Sequence, residues 1–351
     1  MNNVRWGIIG CGAVTELKSG PALNKIADSR LVAVMRRDKD KAKDYATRHA
    51  VPKWYDDADR LINDPDVNAI YVATPPASHA EYTIKAAKAG KAVYVEKPMA
   101  VNDEQCRRMI RVCDDARVPL FVAYYRRALP DFLKVKQLID TGAIGSPRFV
   151  SIQLCHAPNT SLDPCNLPWR VLPEIAGGGY FFDLGSHELD FLDYLLGPIT
   201  SAQGFAANQA GLYPAEDIVA ANLLFESGVL GCGMWCFTVP PNCTSDRIHV
   251  VGTSGKVSFS SFERAPVVLE TDRGTQEFNL PKPAHVQQPL LQTVVDELLG
   301  RGKCPSTGVS AARTSWVLEQ ITGNRTRSVP HYCGPQSMAG PAGAGSCRIP
   351  E

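Results

Sequence analysis

The feature that most restricts this chain lies in its first 123 residues, where short apolar runs alternate with stretches of helical composition. Residues 4–9 are apolar and end in Gly10-Cys11-Gly12, and residues 31–35 form a second run rich in β-branched side chains. Residues 69–73, 92–95 and 120–123 repeat the pattern of a strand buried on both faces. Between them, residues 39–49, 79–89 and 103–116 read as helices. Strands alternating with helices at this spacing predict an α/β unit, a parallel sheet covered on both faces.

The pattern changes near residue 147. Residues 148–154, 218–225, 229–237, 247–251, 256–260 and 267–271 alternate with period two, and short turns such as Glu226-Ser227-Gly228 and Thr253-Ser254-Gly255 join some of them. This predicts an α+β second domain with a large, mainly antiparallel open sheet, whose clear helices cover 186–196, 286–299 and 310–321. The predicted division is 1–123, 124–322 and a tail, 323–351. Within the tail, residues 334–351 hold four Gly and three Pro without apolar period, so no packed element is expected there. A length of 351 residues fits two domains, because single cores stop growing near ~250–300 residues.

Thirty-seven basic against 36 acidic residues leave a net charge of +1, which excludes a nucleic-acid binder built on a basic surplus. No apolar run reaches the ~18–20 residues of a membrane span, and the N-terminus enters a strand without a leader, so a cytoplasmic protein is expected. The eleven cysteines are odd in number and scattered, as reduced thiols are. The nearest approach to a metal pattern, Cys232, Cys236 and Cys243, lacks a second close pair, and no metal is expected.

The glycine turn after the first strand is where a dinucleotide fold lets backbone approach a pyrophosphate: Gly10 makes the turn and Gly12, with Ala13 and Val14, receives the phosphates. Thr15 replaces a third glycine, and Pro21 places the start of the first helix after a longer loop. At the end of the second strand, Arg36 and Arg37 suit a 2′-phosphate, which favours NADP, while the following Asp38 leaves NAD open. Thr74 and Pro75 end one strand, Glu96, Lys97 and Pro98 another; carboxyl ends of parallel strands are where ligands sit. Asp183 and His187 flank the start of a helix, and histidine has the near-neutral pKa that proton exchange with an alcohol requires. Taken singly, each motif fits a bland role, a surface turn for Lys97 and a structural histidine for His187.

Taken together, Gly10-x-Gly12, Ala73-Thr74-Pro75-Pro76-x-x-His79, Glu96-Lys97-Pro98 and Asp183-x-Gly185-x-His187 resemble the glucose-fructose oxidoreductase, inositol dehydrogenase and rhizopine-catabolism (Gfo/Idh/MocA) family over roughly residues 4–322. The resemblance implies an N-terminal Rossmann domain, a catalytic pair of Lys97 and His187 supported by Asp183, and a cis bond before Pro98. It places Thr74, Pro75, His79 and Glu96 along the cofactor cleft and Tyr125 and Arg126 beside the nicotinamide. Trp169 and Arg170 fall on the substrate side. It further implies a homodimer or homotetramer formed through the second sheet, a sugar or polyol substrate, and no nucleic-acid or membrane partner. Two rival readings are a relative that uses bound NAD transiently in glycoside cleavage, and a nucleotide sensor without turnover. A sensor needs none of Lys97, Asp183 and His187.

Overall fold

The computed structural model describes residues 2–159 and 161–323; the predicted tail falls outside them apart from Gly323, which ends the last helix. The chain runs β1 (Val4–Ile9), α1 (Ala13–Leu17), α2 (Gly20–Leu23), β2 (Ser29–Met35), α3 (Lys39–Arg48), β3 (Lys53–Tyr55), α4 (Ala58–Ile62), β4 (Ala69–Val72), α5 (His79–Lys88), β5 (Ala92–Val95), α6 (Asp103–Asp115) and β6 (Leu120–Val122). It continues through α7 (Pro130–Asp140), β7 (Pro147–Cys155), α8 (Pro173–Ala176), α9 (Ser186–Leu196), β8 (Ile199–Ala207), β9 (Ile218–Phe225), β10 (Leu230–Cys236), β11 (Ser245–Gly252), β12 (Gly255–Phe259), β13 (Val267–Thr271), β14 (Gly274–Phe278), α10 (Gln288–Leu298) and α11 (Gly308–Thr322).

The first sheet has the order β3-β2-β1-β4-β5-β6, and all its pairs are parallel. Strands β4 and β5 are buried along their whole length, which explains why they read as unbroken apolar runs. The strand order reverses between β1 and β4. That switch point opens a crevice beyond their carboxyl ends, lined by Gly10 on one side and Ala73-Thr74-Pro75 on the other.

The first helix departs from the sequence reading. It starts at Ala13, directly after the glycine turn, and stops after one short turn; α2 then starts with Pro21 in its first turn. Proline lacks an N–H and resists the helix interior, so the chain divides one helix into two rather than lengthening the loop.

The second sheet has the order β14-β13-β12-β11-β7-β10-β9-β8. One pair is parallel, β7 with β10, in register from Phe149 opposite Leu230 to Cys155 opposite Cys236. The crossover that parallel pairing requires is supplied by the long segment after β7, which contains α8 and α9. Val150, Ile152, Leu154, Val219, Leu223 and Trp235 fill one face of this sheet, packing into a core with Phe181, Leu189, Leu192 and Val317. The other face leaves Phe149, Phe205, Leu224, Leu230 and Met234 exposed.

The last two helices return to the first half. Leu290, Leu291, Val294 and Val295 of α10 complete the core on one side of the parallel sheet. In α11, Ala311 and Ala312 pack toward the parallel sheet, while Val317, Leu318 and Ile321 pack toward the second. The crevice is therefore bounded by rigid elements from both halves.

Candidate active site

A cleft of about 720 Å³ opens at the switch point. Its first wall is the glycine turn. Gly10 has φ +91, and a Cβ there would lie 2.6 Å from Thr74 Cγ2, so only glycine lets the two strand ends approach this closely. At Gly12 a Cβ would meet nothing nearer than Gly10 O at 3.9 Å. The backbone there is bare and faces open space, as a bound pyrophosphate requires. Ala13, Val14, Arg36, Arg37, Asp38, Thr74 and Pro75 line the same cavity.

Asp38 is already engaged. Its Oδ1 accepts the Lys41 backbone N–H at 3.1 Å as the cap of α3, and its Oδ2 pairs with Lys41 Nζ at 3.0 Å. Arg36 Nη1 donates to Cys11 O at 3.2 Å, which ties the arginine to the glycine turn.

The second wall is the end of β5. The bond between Lys97 and Pro98 is cis. Glu96 is buried, and its Oε1 accepts from Tyr71 Oη and Gln287 Nε2, both at 2.6 Å. Lys97 projects across the crevice: its Nζ lies 2.5 Å from Asp183 Oδ1 and donates to Asp183 O at 2.8 Å. Arg170 Nε stands 3.2 Å from Asp183 Oδ2, so one carboxylate holds a cation on each oxygen. Burial alone pushes the Asp183 carboxyl up, but the charges of Lys97, Arg170 and Lys18 outweigh it and hold the group below its ordinary value.

Asp183 lies within a wide π turn, Phe181–Gly185, which leads directly into α9 at Ser186, and His187 follows in the first turn of that helix. The glycines ahead of it fasten the segment to the first half: Gly177 has φ +87, and a Cβ there would press on Val101 O at 2.7 Å. His187 lines the cleft and packs edge-on to Tyr125, with ring centroids 5.1 Å apart. Its Nδ1 is buried without a partner among the described residues. Burial, then the charges of Arg126, Lys97 and Lys18, hold its pKa well below the usual histidine range. The ring is therefore held in its neutral form.

Most residues singled out in the sequence line this cleft: Gly10, Gly12, Ala13, Val14, Arg36, Arg37, Asp38, Thr74, Pro75, Glu96, Lys97, Tyr125, Trp169, Arg170, Asp183 and His187. Two do not. His79 is fully buried, with its ring nitrogens 3.0 Å from Pro98 O and 2.7 Å from Thr74 O. It packs behind the cleft between two strand ends, where burial keeps the ring neutral and its one N–H donates to one of the two carbonyls. Arg126 turns away from the cleft: its Nε and Nη2 donate to Ser261 O at 3.1 and 2.8 Å, and its guanidinium lies 4.4 Å from the Phe262 ring centroid. Stacking and two carbonyl bonds hold it more firmly than an open cleft can.

The sequence reading missed Lys18, Tyr82, Phe262 and Gln287, which also line the cavity. Gln287 stands 191 positions after Glu96, to which it donates, and nothing local marks it.

Cation, carboxylate and imidazole at the mouth of a parallel-sheet crevice define an oxidoreductase of the dinucleotide-fold class. Comparison with known proteins gives the family. Residues 4–124 match the GFO/IDH/MocA oxidoreductase family, NAD-binding Rossmann fold, and residues 132–258 match the GFO/IDH/MocA C-terminal domain. The chain belongs to this family. It is 36% identical to oxidoreductase P35 of Formosa agariphila over 323 residues, covering 92% of this chain and 99% of that one. It is 30% identical to myo-inositol 2-dehydrogenase of Thermotoga maritima over 282 residues, covering 77% and 79%. Its structure superposes on aldose-aldose oxidoreductase from Caulobacter crescentus, complexed with glycerol, with TM-score 0.80 at 26% identity, over 92% of this chain and 97% of that one. Among the described residues no helix is long and apolar enough to cross a membrane.

Proposed function

We propose that the protein is an NADP-preferring oxidoreductase that interconverts a hydroxyl and a carbonyl on a sugar or polyol. The observation that carries this reading is the meeting of Lys97, from the first half, with Asp183 and His187, from the second, in the cleft that also contains the Gly10–Gly12 turn. The relatives named for inositol and aldose chemistry support the substrate class. The bound nicotinamide would supply the hydride chemistry.

The residues around it have distinct tasks. Backbone from Gly10 to Val14 would hold the pyrophosphate, with Thr74 and Pro75 packing against the cofactor. Arg36 and Arg37 stand where the adenosine ribose would lie. Asp38 caps α3 and pairs with Lys41, while the two guanidinium groups beside it suit a 2′-phosphate. On the substrate side, neutral His187 accepts the hydroxyl proton during oxidation and returns it during reduction. The Lys97 ammonium donates to the same substrate oxygen and stabilises the charge that develops there. Asp183 fixes the Lys97 side chain by accepting from it through both carboxylate and carbonyl. Tyr125 and Trp169 provide apolar walls for the sugar ring.

A panel of sugars, polyols and their ketones, followed at the nicotinamide absorbance band with NADP and with NAD, tests this reading. Substrate-dependent turnover with NADP exceeding that with NAD is expected. Faster turnover with NAD would remove the cofactor preference, and no turnover with either would remove the enzyme reading.

We also infer that the open face of the second sheet, with Phe149, Phe205, Leu224, Leu230 and Met234, pairs with the same face of a second copy, since apolar side chains gathered on one face favour association. Light scattering should give a multiple of the chain mass that Phe205→Lys with Leu230→Lys reduces. A wild-type monomer refutes it.

A further inference from the structure

We propose that Lys18 binds a carboxylate on the substrate, so that the preferred substrate is a sugar acid, an aldonate or a uronate, rather than a neutral sugar. The inference rests on the oxidoreductase reading of the same cleft and narrows it. Lys18 follows α1 directly, and its backbone carbonyl accepts the Gln287 N–H at 3.2 Å. Gln287 is fully buried and donates to Glu96 at 2.6 Å, so the segment that carries Lys18 is fastened to the strand end that carries Lys97. Lys18 lines the cleft and is exposed there, and its charge acts on both Asp183 and His187.

Charge in this part of the cleft does not balance. Lys97 and Arg170 share Asp183, one on each carboxylate oxygen. Glu96, the other carboxylate here, is buried and turned to other partners: Oε1 accepts from Tyr71 and Gln287, and Oε2 from the Lys97 backbone N–H at 3.3 Å. The Lys18 ammonium has no hydrogen bond or ion pair with any described residue. The cofactor phosphates would lie against Gly10 to Val14, at the start of α1, whereas Lys18 follows the end of that helix. A neutral polyol leaves this positive charge to the solvent, whereas a substrate carboxylate pairs with it directly. Lysine pairs open to water contribute little. A pair enclosed between substrate and nicotinamide is shielded, and an ionised hydrogen bond then changes affinity by roughly 10- to 100-fold.

Calorimetric titration of the NADPH-loaded protein with D-glucuronate, D-galacturonate, D-gluconate and D-galactonate, each against its parent neutral sugar, tests the assignment. At least one acid should bind tenfold or more tightly than its parent. Lys18→Met should reduce that preference by roughly 30-fold, Lys18→Arg should restore most of it, and added salt should weaken the acid selectively. If no acid exceeds its parent sugar, the proposal is overturned. It is also overturned if Lys18→Met weakens NADPH binding, or lowers acid and neutral affinities alike, because the lysine then serves the cofactor or the hydroxyls. Lys18-dependent acid binding without turnover of any substrate would instead overturn the oxidoreductase reading and leave the carboxylate site standing.

Discussion

Two cation–carboxylate pairs join the first half of the chain to the segment that contains α9, and they are finished in opposite ways. In one, Lys97 meets Asp183 with side chains 12% and 18% exposed. Nearby His187 has no bond to its buried Nδ1, and Lys18 has no described partner. In the other, Arg127 and Asp190 are 3% and 0% exposed. Arg127 Nε and Nη2 bind the two oxygens of Asp190 at 2.8 and 2.7 Å, and its Nη1 donates to Pro305 O at 2.8 Å. Asp193 accepts from Arg313 at 3.1 and 2.6 Å and from the Ile199 backbone N–H at 3.1 Å. The second cluster leaves its guanidinium nothing further to do. The first keeps bonding capacity in reserve beside open space, which is the mark of groups that act on something not yet present.

The largest effect expected from this contrast is on Lys97. Lys97→Met should lower turnover by about three orders of magnitude, as loss of a group stabilising developing charge does. NADPH should still bind, detected by its fluorescence, and the fold should change little because Arg170 still covers Asp183 Oδ2. Turnover within tenfold of wild type would break the comparison at its reactive end.

The closed pair should respond in the other currency. Arg127→Met leaves Asp190 buried without its fork, and removing one partner of a buried pair costs about 3–5 kcal/mol. Chemical denaturation should register that loss, while the fraction that remains folded turns over near the wild-type rate. A stability change under about 1 kcal/mol would show that the cluster is not the clamp its saturation implies.

How much of this was legible beforehand follows the same division. The parallel sheet could be read because burial on both faces forces unbroken apolar runs, as at β4 and β5. The cleft could be read where chemistry and chain geometry coincide, at Gly10, Lys97 and His187. Strand β8 and helix α7 were missed: the first buries the small residues Ala202, Gly204 and Ala206 while Phe205 lies on its exposed face, and Pro130 begins the second without a side-chain cap. The pairing of Arg127 with Asp190 spans 63 positions and left no local trace. Arg126 and Arg127 are adjacent and chemically alike, yet one stacks on Phe262 while the other clamps α9. Only tertiary packing distinguishes them.

Glu188 tests whether the contrast extends between the two clusters. It follows His187, is fully buried, and its Oε2 accepts from Trp235 Nε1 at 2.6 Å while Oε1 has no partner among the described residues. Burial raises its pKa from 4.5 to about 8, against the opposing effect of the Trp235 bond. The folded protein thus retains a proton that the unfolded chain releases, and in that interval stability falls as pH rises. Replacing the group by an amide removes the dependence. Between pH 4.5 and about 8 the stability of the wild type relative to Glu188→Gln should decline by a few kcal/mol, at most about 1.4 kcal/mol for each pH unit. His187 contributes with the opposite sign, since its lowered pKa makes the fold lose stability as pH falls below the ordinary histidine value. Denaturant titrations of both proteins across this range separate the two, because the difference between them cancels the histidine and retains the glutamate. Parallel curves would mean that Glu188 is ionised in the fold, its charge met by more donation than Trp235 supplies.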